Sequence, residues 1–132
     1  MKSIFKPGEI KTFERLVQAE DIAKFESGTV HNVYATFALA RDAEWVCRLF
    51  VLEMKEEQEE GIGTFVTVRH SAPALIGDKV LFTATVKSVE RNEIVCSYTA
   101  YVGSRKIAEG EQGQKIIPKE KLNRIFGQLS KP

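Results

Sequence analysis

The segment from Phe37 to Met54 constrains the fold of this chain more than any other. Its apolar side chains recur at intervals of three and four positions: Leu39, Ala43, Val46, Cys47, Phe50 and Met54. At about 100° per residue, this spacing places them all on one face of an α-helix. Because a continuous apolar face must be covered by other parts of the chain, we expect this helix to be central and buried.

A second apolar stripe, formed by Trp45, Leu49 and Leu52, lies on a different side of the same helix. Asp42 and Glu53 separate the two stripes. Two stripes predict two packing partners for the helix. We expect the second partner to be another copy of the chain, so the sequence predicts a homodimer.

Segments with the alternating hydrophobicity of half-buried strands lie on both sides of this helix in sequence. One segment, from Glu9 to Ala19, precedes the helix, and four follow it, at 64–69, 79–89, 94–102 and 106–117. Turn sequences such as Gly77-Asp78 separate them. One long helix among consecutive strands predicts the α+β class, with an antiparallel sheet wrapped around the helix, which is the hotdog fold.

Three further segments have less regular patterns. Asp21 is suited to cap a short helical turn that runs to Phe25. The charged run from Glu53 to Glu60 predicts a solvated end of the central helix, which we expect Gly61 to terminate. The basic residues of the segment 119–132 predict a peripheral helix.

Size, charge and cysteine content limit the class of protein. With 132 residues of which 43% are hydrophobic, the chain can bury one sizeable core, so we expect a single domain at residues 1–132. The net charge of +1 provides no field to attract nucleic acid or an anionic membrane. Charged residues interrupt the apolar stretches, so we expect no signal peptide and no membrane span. Two cysteines, Cys47 and Cys96, predict a cytoplasmic protein without disulfides or a metal site.

The sequence lacks the phosphate-binding loop, the dinucleotide fingerprint, the nucleophile elbow and the paired-histidine metal helix. A small set of reactive or permissive residues remains in otherwise apolar or turn-like surroundings: Thr36, Glu44, Gly63 and His70. Each of them has a structural explanation as well as a chemical one.

The first two candidates belong to the central helix. The hydroxyl of Thr36 either caps the first turn or acts with the helix N–H groups to bind a thioester oxygen. Glu44 either pairs with Arg41 and Arg48 in an ion-pair ladder along the helix surface, or works as a nucleophile or water-orienting base. Both alternatives stay open at this point.

The other two candidates belong to the strands. His70 is either a structural residue at a strand end or a general acid and base. Gly63 is either an ordinary strand-start glycine or a position where the backbone comes close to a ligand. We expect Cys47, on the apolar face of the helix, to be a core residue rather than a nucleophile, and His31 to be a surface residue.

The string Ala-Thr-Phe-Ala-Leu-Ala-Arg-Asp-Ala-Glu at positions 35–44 resembles the helix-start signature of the fluoroacetyl-coenzyme A thioesterase family. His70, in the string Val-Arg-His-Ser-Ala-Pro, is similarly placed to the histidine of that family's strand signature. Glu44 follows Thr36 by eight positions and precedes His70 by 26, which are the separations of the family's Thr-Glu-His triad. The similarity extends from about Gly8 through Phe126.

This resemblance implies a hotdog homodimer that has its sites at the subunit junction and hydrolyses a small or medium acyl-CoA to free acid and coenzyme A. It implies that Thr36 and the helix-start amides position the thioester, that Glu44 is nucleophile or base, and that His70 transfers protons. Gly63 corresponds to a glycine near the acyl pocket. No cofactor is implied beyond the coenzyme A that forms part of the substrate.

The chain also departs from the family pattern. Phe37 replaces a proline, Val30 replaces an aromatic gate, and Gln112 and Gln114 replace a histidine and an arginine late in the last strand. Val30 argues against fluoroacetyl specificity, and the identity of the acyl group stays open. The two lost charges keep a second hypothesis open, a non-catalytic acyl-CoA binding module. A hotdog hydratase is a third class, but the sequence contains no recognisable hydratase signature.

Overall fold

The computed structural model describes residues 1–131, which form two helices, eight strands and a short 3-10 turn. The helices are α1 (Thr36–Met54) and α2 (Lys119–Leu129), and the 3-10 turn is Ala19–Asp21. The strands are β1 (Ile10–Leu16), β2 (Ile22–Phe25), β3 (Gly28–Tyr34), β4 (Glu59–Val66), β5 (Arg69–His70), β6 (Lys79–Glu90), β7 (Glu93–Val102) and β8 (Arg105–Pro118).

The main sheet is antiparallel and has the strand order β1-β6-β7-β8-β4, with β5 also paired to β8. The strands β2 and β3 form a separate antiparallel hairpin. Helix α1 contacts every long strand of the main sheet, so the sheet curls around it. The expected α+β arrangement is therefore confirmed.

The core lies between α1 and the concave face of the sheet. All six members of the first apolar stripe are at most 1% exposed, as their spacing predicts. On β6 and β7, buried side chains alternate with partly exposed ones, and they contribute Phe82 and Tyr98 to the same core. Complete burial of a large apolar side chain contributes about 1.5–3 kcal/mol, so this interface is the main source of stability for the fold.

A buried polar cluster sets the position of α1 relative to β1 and β3. The carboxylate of Asp42 on α1 is 1% exposed and accepts hydrogen bonds from Arg15, Arg41 and the hydroxyl of Tyr34. Burial and the bond to Asp42 raise the pKa of Tyr34, so this phenol stays protonated and continues to donate. The buried charge is thus fully paired.

Two expectations for the irregular segments are wrong. Asp21 does not begin a helical turn that runs to Phe25, because it is the last residue of the 3-10 turn and its side chain accepts the N–H of Gln18 and a guanidinium N–H of Arg41. Helix α1 ends at Met54 rather than at Gly61, which is a buried residue of β4 packed on α1. The charged run predicted a solvated helix end, but one of its glutamates, Glu60, forms an ion pair with Arg48 and belongs to β4.

The strand expected at residues 64–69 is divided between β4 and β5. The carbonyl of Thr67 accepts a hydrogen bond of 2.6 Å from the hydroxyl of Tyr98, which holds the chain at this interruption. Helix α2 has no buried residue and is peripheral, as expected, although Pro132 lies outside the described residues. Within residues 1–131, neither helix is long and apolar enough to span a membrane.

Candidate functional site

Thr36 and His70 meet at the start of α1. The N-cap of the helix is Ala35, which makes no side-chain cap, so of the two alternatives for Thr36 the capping one is wrong. Thr36 is the first helical residue, and its Oγ1 lies 2.9 Å from Nδ1 of His70. Backbone hydrogen bonds hold the surrounding segments, since Tyr34 donates to the carbonyl of Ala74 and Ser71 donates to that of Ile107.

The other ring nitrogen of His70 has no hydrogen-bond partner among residues 1–131, although the atom is buried. Buried polar atoms are nearly always paired, and leaving one unpaired costs about 1–3 kcal/mol. This atom therefore points to a ligand or water as its partner. His70 also lines a depression of about 260 Å³, together with Val33, Ser71, Ala72 and Pro73.

Burial lowers the pKa of His70 below its usual value of about 6.5, and the nearby backbone of Ala72 partly opposes this shift. The ring is therefore neutral at pH 7, with one N–H and one acceptor nitrogen. With the proton on Nδ1, the ring donates to Thr36 and Nε2 is a free base. With the proton on Nε2, the hydroxyl of Thr36 donates to Nδ1 and Nε2 is a free donor.

Glu44 does not take part in the ion-pair ladder that its spacing from Arg41 and Arg48 allows. Arg41 pairs with Asp21 and Asp42, and Arg48 pairs with Glu60. Instead, Oε1 of Glu44 accepts a hydrogen bond of 3.2 Å from Nε2 of Gln112 on β8. The side chain is exposed to solvent on its other side. Asp42 and Glu60 thus bind the two arginines in place of Glu44.

The position of the Glu44 carboxylate depends on the absence of a side chain at Gly63. A Cβ at this position would lie 2.8 Å from Oε1 of Glu44, which is closer than real Cβ atoms come to other atoms. Gly63 lies inside β4, opposite Gln114 on β8, and not at the start of a strand. It therefore lets the carboxylate lie directly against the sheet.

Gln112 and Gln114 are part of this arrangement, although in the sequence they stand out only as departures from a family pattern. Both side chains face the helix and are 1% exposed. Buried glutamine is unusual, because its amide needs several hydrogen bonds away from water. Two glutamines at alternate positions of an otherwise apolar strand face are the signal that could have located them beside a polar group of the helix.

The described residues thus form two clusters, Thr36 with His70, and Glu44 with Gly63 and Gln112. Within residues 1–131, no hydrogen bond joins Glu44 to Thr36 or His70. The step of eight positions from Thr36 to Glu44 corresponds to a rise of about 12 Å between their Cα atoms along the helix. Because a helical side chain points back toward the helix N-terminus, the Glu44 carboxylate lies nearer to Thr36 than this rise, and an acyl thioester placed along α1 can engage both clusters.

The other candidates have no such surroundings. Cys47 is buried, and its pKa is raised by a hydrogen bond with Cys96 and by burial, so it is a protonated core thiol as expected. His31 is exposed. No group of three potential ligands in residues 1–131 is arranged to hold a metal ion.

A depression of about 380 Å³ on the outer face of the sheet is lined mainly by polar residues of β6, β7 and β8 and includes neither His70 nor Glu44.

The sequence profile of the fluoroacetyl-CoA-specific thioesterase family matches residues 17–120. The fluoroacetyl-CoA thioesterase of Streptantibioticus cattleyicolor is 31% identical over 92 residues, which are 70% of this chain and 66% of that protein. The match thus spans slightly less than two thirds of the relative's own length.

Two solved structures have closely similar folds. A Thermus thermophilus protein described as a thioesterase superfamily member has a TM-score of 0.90 at 36% identity, covering 94% of this chain and 92% of that one. A mutant of the fluoroacetyl-CoA-specific thioesterase, solved with fluoroacetate and CoA, has a TM-score of 0.83 at 26% identity, covering 89% and 99%. With this match to the family profile over most of its length, the chain belongs to the fluoroacetyl-CoA-specific thioesterase family and has the hotdog fold.

Proposed function

We propose that this protein is an acyl-CoA thioesterase that hydrolyses a small or medium acyl thioester to the free acid and coenzyme A. The observation that carries the proposal is the Glu44 carboxylate, which Gly63 and Gln112 hold on the same helix that begins with the Thr36–His70 pair. Membership of a family of thioesterases supports the reaction class. The solved relative with fluoroacetate and CoA supports a CoA thioester as substrate.

Hydrolysis of a thioester adds water to the carbonyl carbon, breaks the carbon–sulfur bond and returns a proton to the sulfur. Negative charge develops on the carbonyl oxygen before the bond breaks. Thr36 and the first N–H groups of α1 are suited to stabilise that charge, because the first N–H groups of a helix have no partner in a preceding turn. The start of α1 is therefore the proposed binding site for the thioester oxygen.

Glu44 supplies the carboxylate of the proposed reaction. Oε1 is engaged by Gln112, whereas Oε2 has no hydrogen-bond partner among residues 1–131. The carboxylate either attacks the carbonyl carbon, with water cleaving the resulting anhydride, or takes a proton from the attacking water. If Glu44 is the nucleophile, the sulfur leaves as a thiolate when the anhydride forms, and the neutral His70 then takes a proton from the water that cleaves the anhydride and releases it to the thiolate. If Glu44 is the base, the proton that it takes from water passes through the neutral His70 to the departing sulfur. In both routes His70 starts and ends the cycle neutral.

The non-catalytic binding module remains the second candidate, because Gln112 and Gln114 carry no charge. A panel of short, branched and aromatic acyl-CoA thioesters distinguishes the two. Free thiol accumulates with time if the protein hydrolyses one of them, whereas a binding module gives saturable binding without thiol release.

The first prediction concerns Glu44. We expect Glu44→Ala to lower turnover by at least about 100-fold, because the reaction loses its carboxylate. The fold should persist, since this exposed side chain contributes little to stability. Glu53→Ala is the matched control, because Glu53 is an exposed glutamate of the same helix that pairs with Lys11. Hydrolysis by Glu44→Ala at the wild-type rate would contradict the proposal.

The second prediction concerns Gly63. We expect Gly63→Ala to lower turnover about 10- to 100-fold, because the new methyl group displaces the Glu44 carboxylate. The control is Gly127→Ala on α2, where a Cβ would meet no atom within 4 Å. That variant should keep its activity and gain about 0.5–1 kcal/mol of stability, as alanine is the better helix former. Equal activity of the two variants would show that the position of Glu44 is unimportant.

The third prediction concerns His70 and pH. Since the ring must be neutral to accept a proton and its pKa is lowered, kcat/KM should be constant near neutrality and fall as the pH drops, with an inflection below about 6.5. His70→Gln should lower turnover about 100-fold and remove this inflection. His31→Gln, a change at an exposed histidine, is the control. Full turnover of His70→Gln with an unchanged pH profile would make His70 structural.

The proposed active form is a homodimer. The edge of β4 is unpaired in the single chain, and it carries Ile62, Phe65 and Val66, each 38–40% exposed. Trp45 and Leu52 of the second helical stripe are 39% and 41% exposed. Open apolar edges favour pairing with another strand, and a second copy offers the matching edge.

The fourth prediction follows from this edge. Light scattering at micromolar concentration should give twice the chain mass of 14.8 kDa. Ile62→Lys should give a monomer with reduced turnover, because charge at the open edge opposes pairing. Ile125→Lys on the peripheral helix α2, where the isoleucine is 39% exposed, should remain dimeric. A wild-type mass of 14.8 kDa would contradict both the dimer and a site shared between subunits.

We also place the proposed activity in the cytoplasm. Both cysteines, Cys47 and Cys96, are free thiols buried in the core. Structural thiols of this kind persist in a reducing compartment.

A further inference from the structure

We propose that Gln112 is a positioning residue for Glu44, and that a buried series of hydrogen bonds, Arg48–Gln114–Gln112, fixes its amide so that an N–H group faces the carboxylate. This inference rests on the proposed role of Glu44. It goes further than that role, because it assigns Oε2 of Glu44 as the oxygen that reacts.

The series begins at Arg48 on α1. Nη1 of Arg48 donates to the carbonyl of Gly61 at 3.1 Å and to Oε1 of Gln114 at 3.4 Å. Nε2 of Gln114 donates to Oε1 of Gln112 at 2.8 Å and to the backbone carbonyl of Glu44 at 3.4 Å. Nε2 of Gln112 donates to Oε1 of Glu44 at 3.2 Å and to the carbonyl of Gly113 at 3.0 Å. Each amide thus donates two hydrogen bonds and accepts one.

The direction of the series is set by Arg48. A guanidinium group only donates, so the atom of Gln114 that faces it must be the amide oxygen. The NH₂ group of Gln114 then faces Gln112, whose oxygen must accept from it. The NH₂ group of Gln112 is therefore the one that faces Glu44, and its orientation follows from the network.

Burial makes this orientation costly to reverse. Both glutamine side chains are 1% exposed, so water cannot replace a lost partner. A flipped Gln112 would place its oxygen against Oε1 of Glu44 and against the carbonyl of Gly113, and would set its NH₂ group against that of Gln114. Three hydrogen bonds would become three repulsive contacts.

The consequence is a carboxylate with two unequal oxygens. Oε1 lies between Gln112, which donates to it, and the backbone of Gly63. Oε2 has no such partner among residues 1–131 and is available to a water or an acyl carbon.

The direct test is steady-state kinetics of Gln112→Met, which keeps the length of the side chain and removes the donor. We expect kcat to fall about tenfold or more, the effect of losing a hydrogen bond to a charged group, while KM stays within about twofold. Gln128→Met, the same change at an exposed position on α2, should leave both constants unchanged. A wild-type kcat for Gln112→Met, or a loss carried by KM alone, would overturn the inference.

A second pair of variants changes Arg48, at the start of the series, and tests the inference even if Gln112→Met does not fold. Arg48→Met removes the donor that orients Gln114, and Arg48→Lys retains a donor, so kcat should fall in the first and be largely restored in the second. Glu60→Gln removes the ion-pair partner of Arg48 but not the series, and it should keep the wild-type kcat. Equal kcat values for Arg48→Met and wild type would overturn the proposal.

Failure of this inference is distinguishable from failure of the proposed function. An inactive Glu44→Ala together with a fully active Gln112→Met would remove only the positioning role. A fully active Glu44→Ala would remove the role of the carboxylate itself.

Discussion

The burial of α1 in the concave face of the sheet is the interaction on which the rest of the structure depends. The apolar face of the helix is almost completely excluded from solvent, and the paired carboxylate of Asp42 fixes how the helix is turned relative to β1 and β3. This orientation of α1 places Thr36 at the helix end near β5 and Glu44 over β4 and β8. The candidate site is therefore a consequence of helix packing rather than of a separate loop.

Close contact between α1 and β4 is the second requirement. Gly61 and Gly63 alternate on the strand and present no side chain toward the helix, which allows Val51 and Glu44 to lie against the backbone. A sheet at this distance leaves no room for water between the strand and the Oε1 atom of the carboxylate. The polar partners must then come from the strand itself, and the amides of Gln112 and Gln114 fill this role.

Much of the fold could be predicted from the sequence, because helix and strand periods are local properties. The spacing from Leu39 to Met54 located the buried face, and the alternation after it located β6, β7 and β8. The end of α1 could not be found in this way, since the Glu60–Arg48 pair makes a charged run part of a packed strand.

The candidate site was only partly predictable for the same reason. Local spacing suggested that Glu44 pairs with Arg41 and Arg48, but distant acidic groups bind both of them. The contact of Glu44 with Gln112 joins residues 68 positions apart, and no local pattern records it. Sequence surroundings and the resemblance to a family made Thr36, Glu44 and His70 candidates, whereas the structure was needed to find what holds the carboxylate of Glu44.

The most direct test of this account is a crystal structure with an unreactive acyl-CoA analogue in which a methylene group replaces the thioester sulfur. The account predicts that the analogue's carbonyl oxygen lies within hydrogen-bonding distance of Thr36 or the first N–H groups of α1, with its carbonyl carbon facing Oε2 of Glu44. An analogue bound instead in the polar depression on the outer face of the sheet, away from Glu44 and His70, would contradict it.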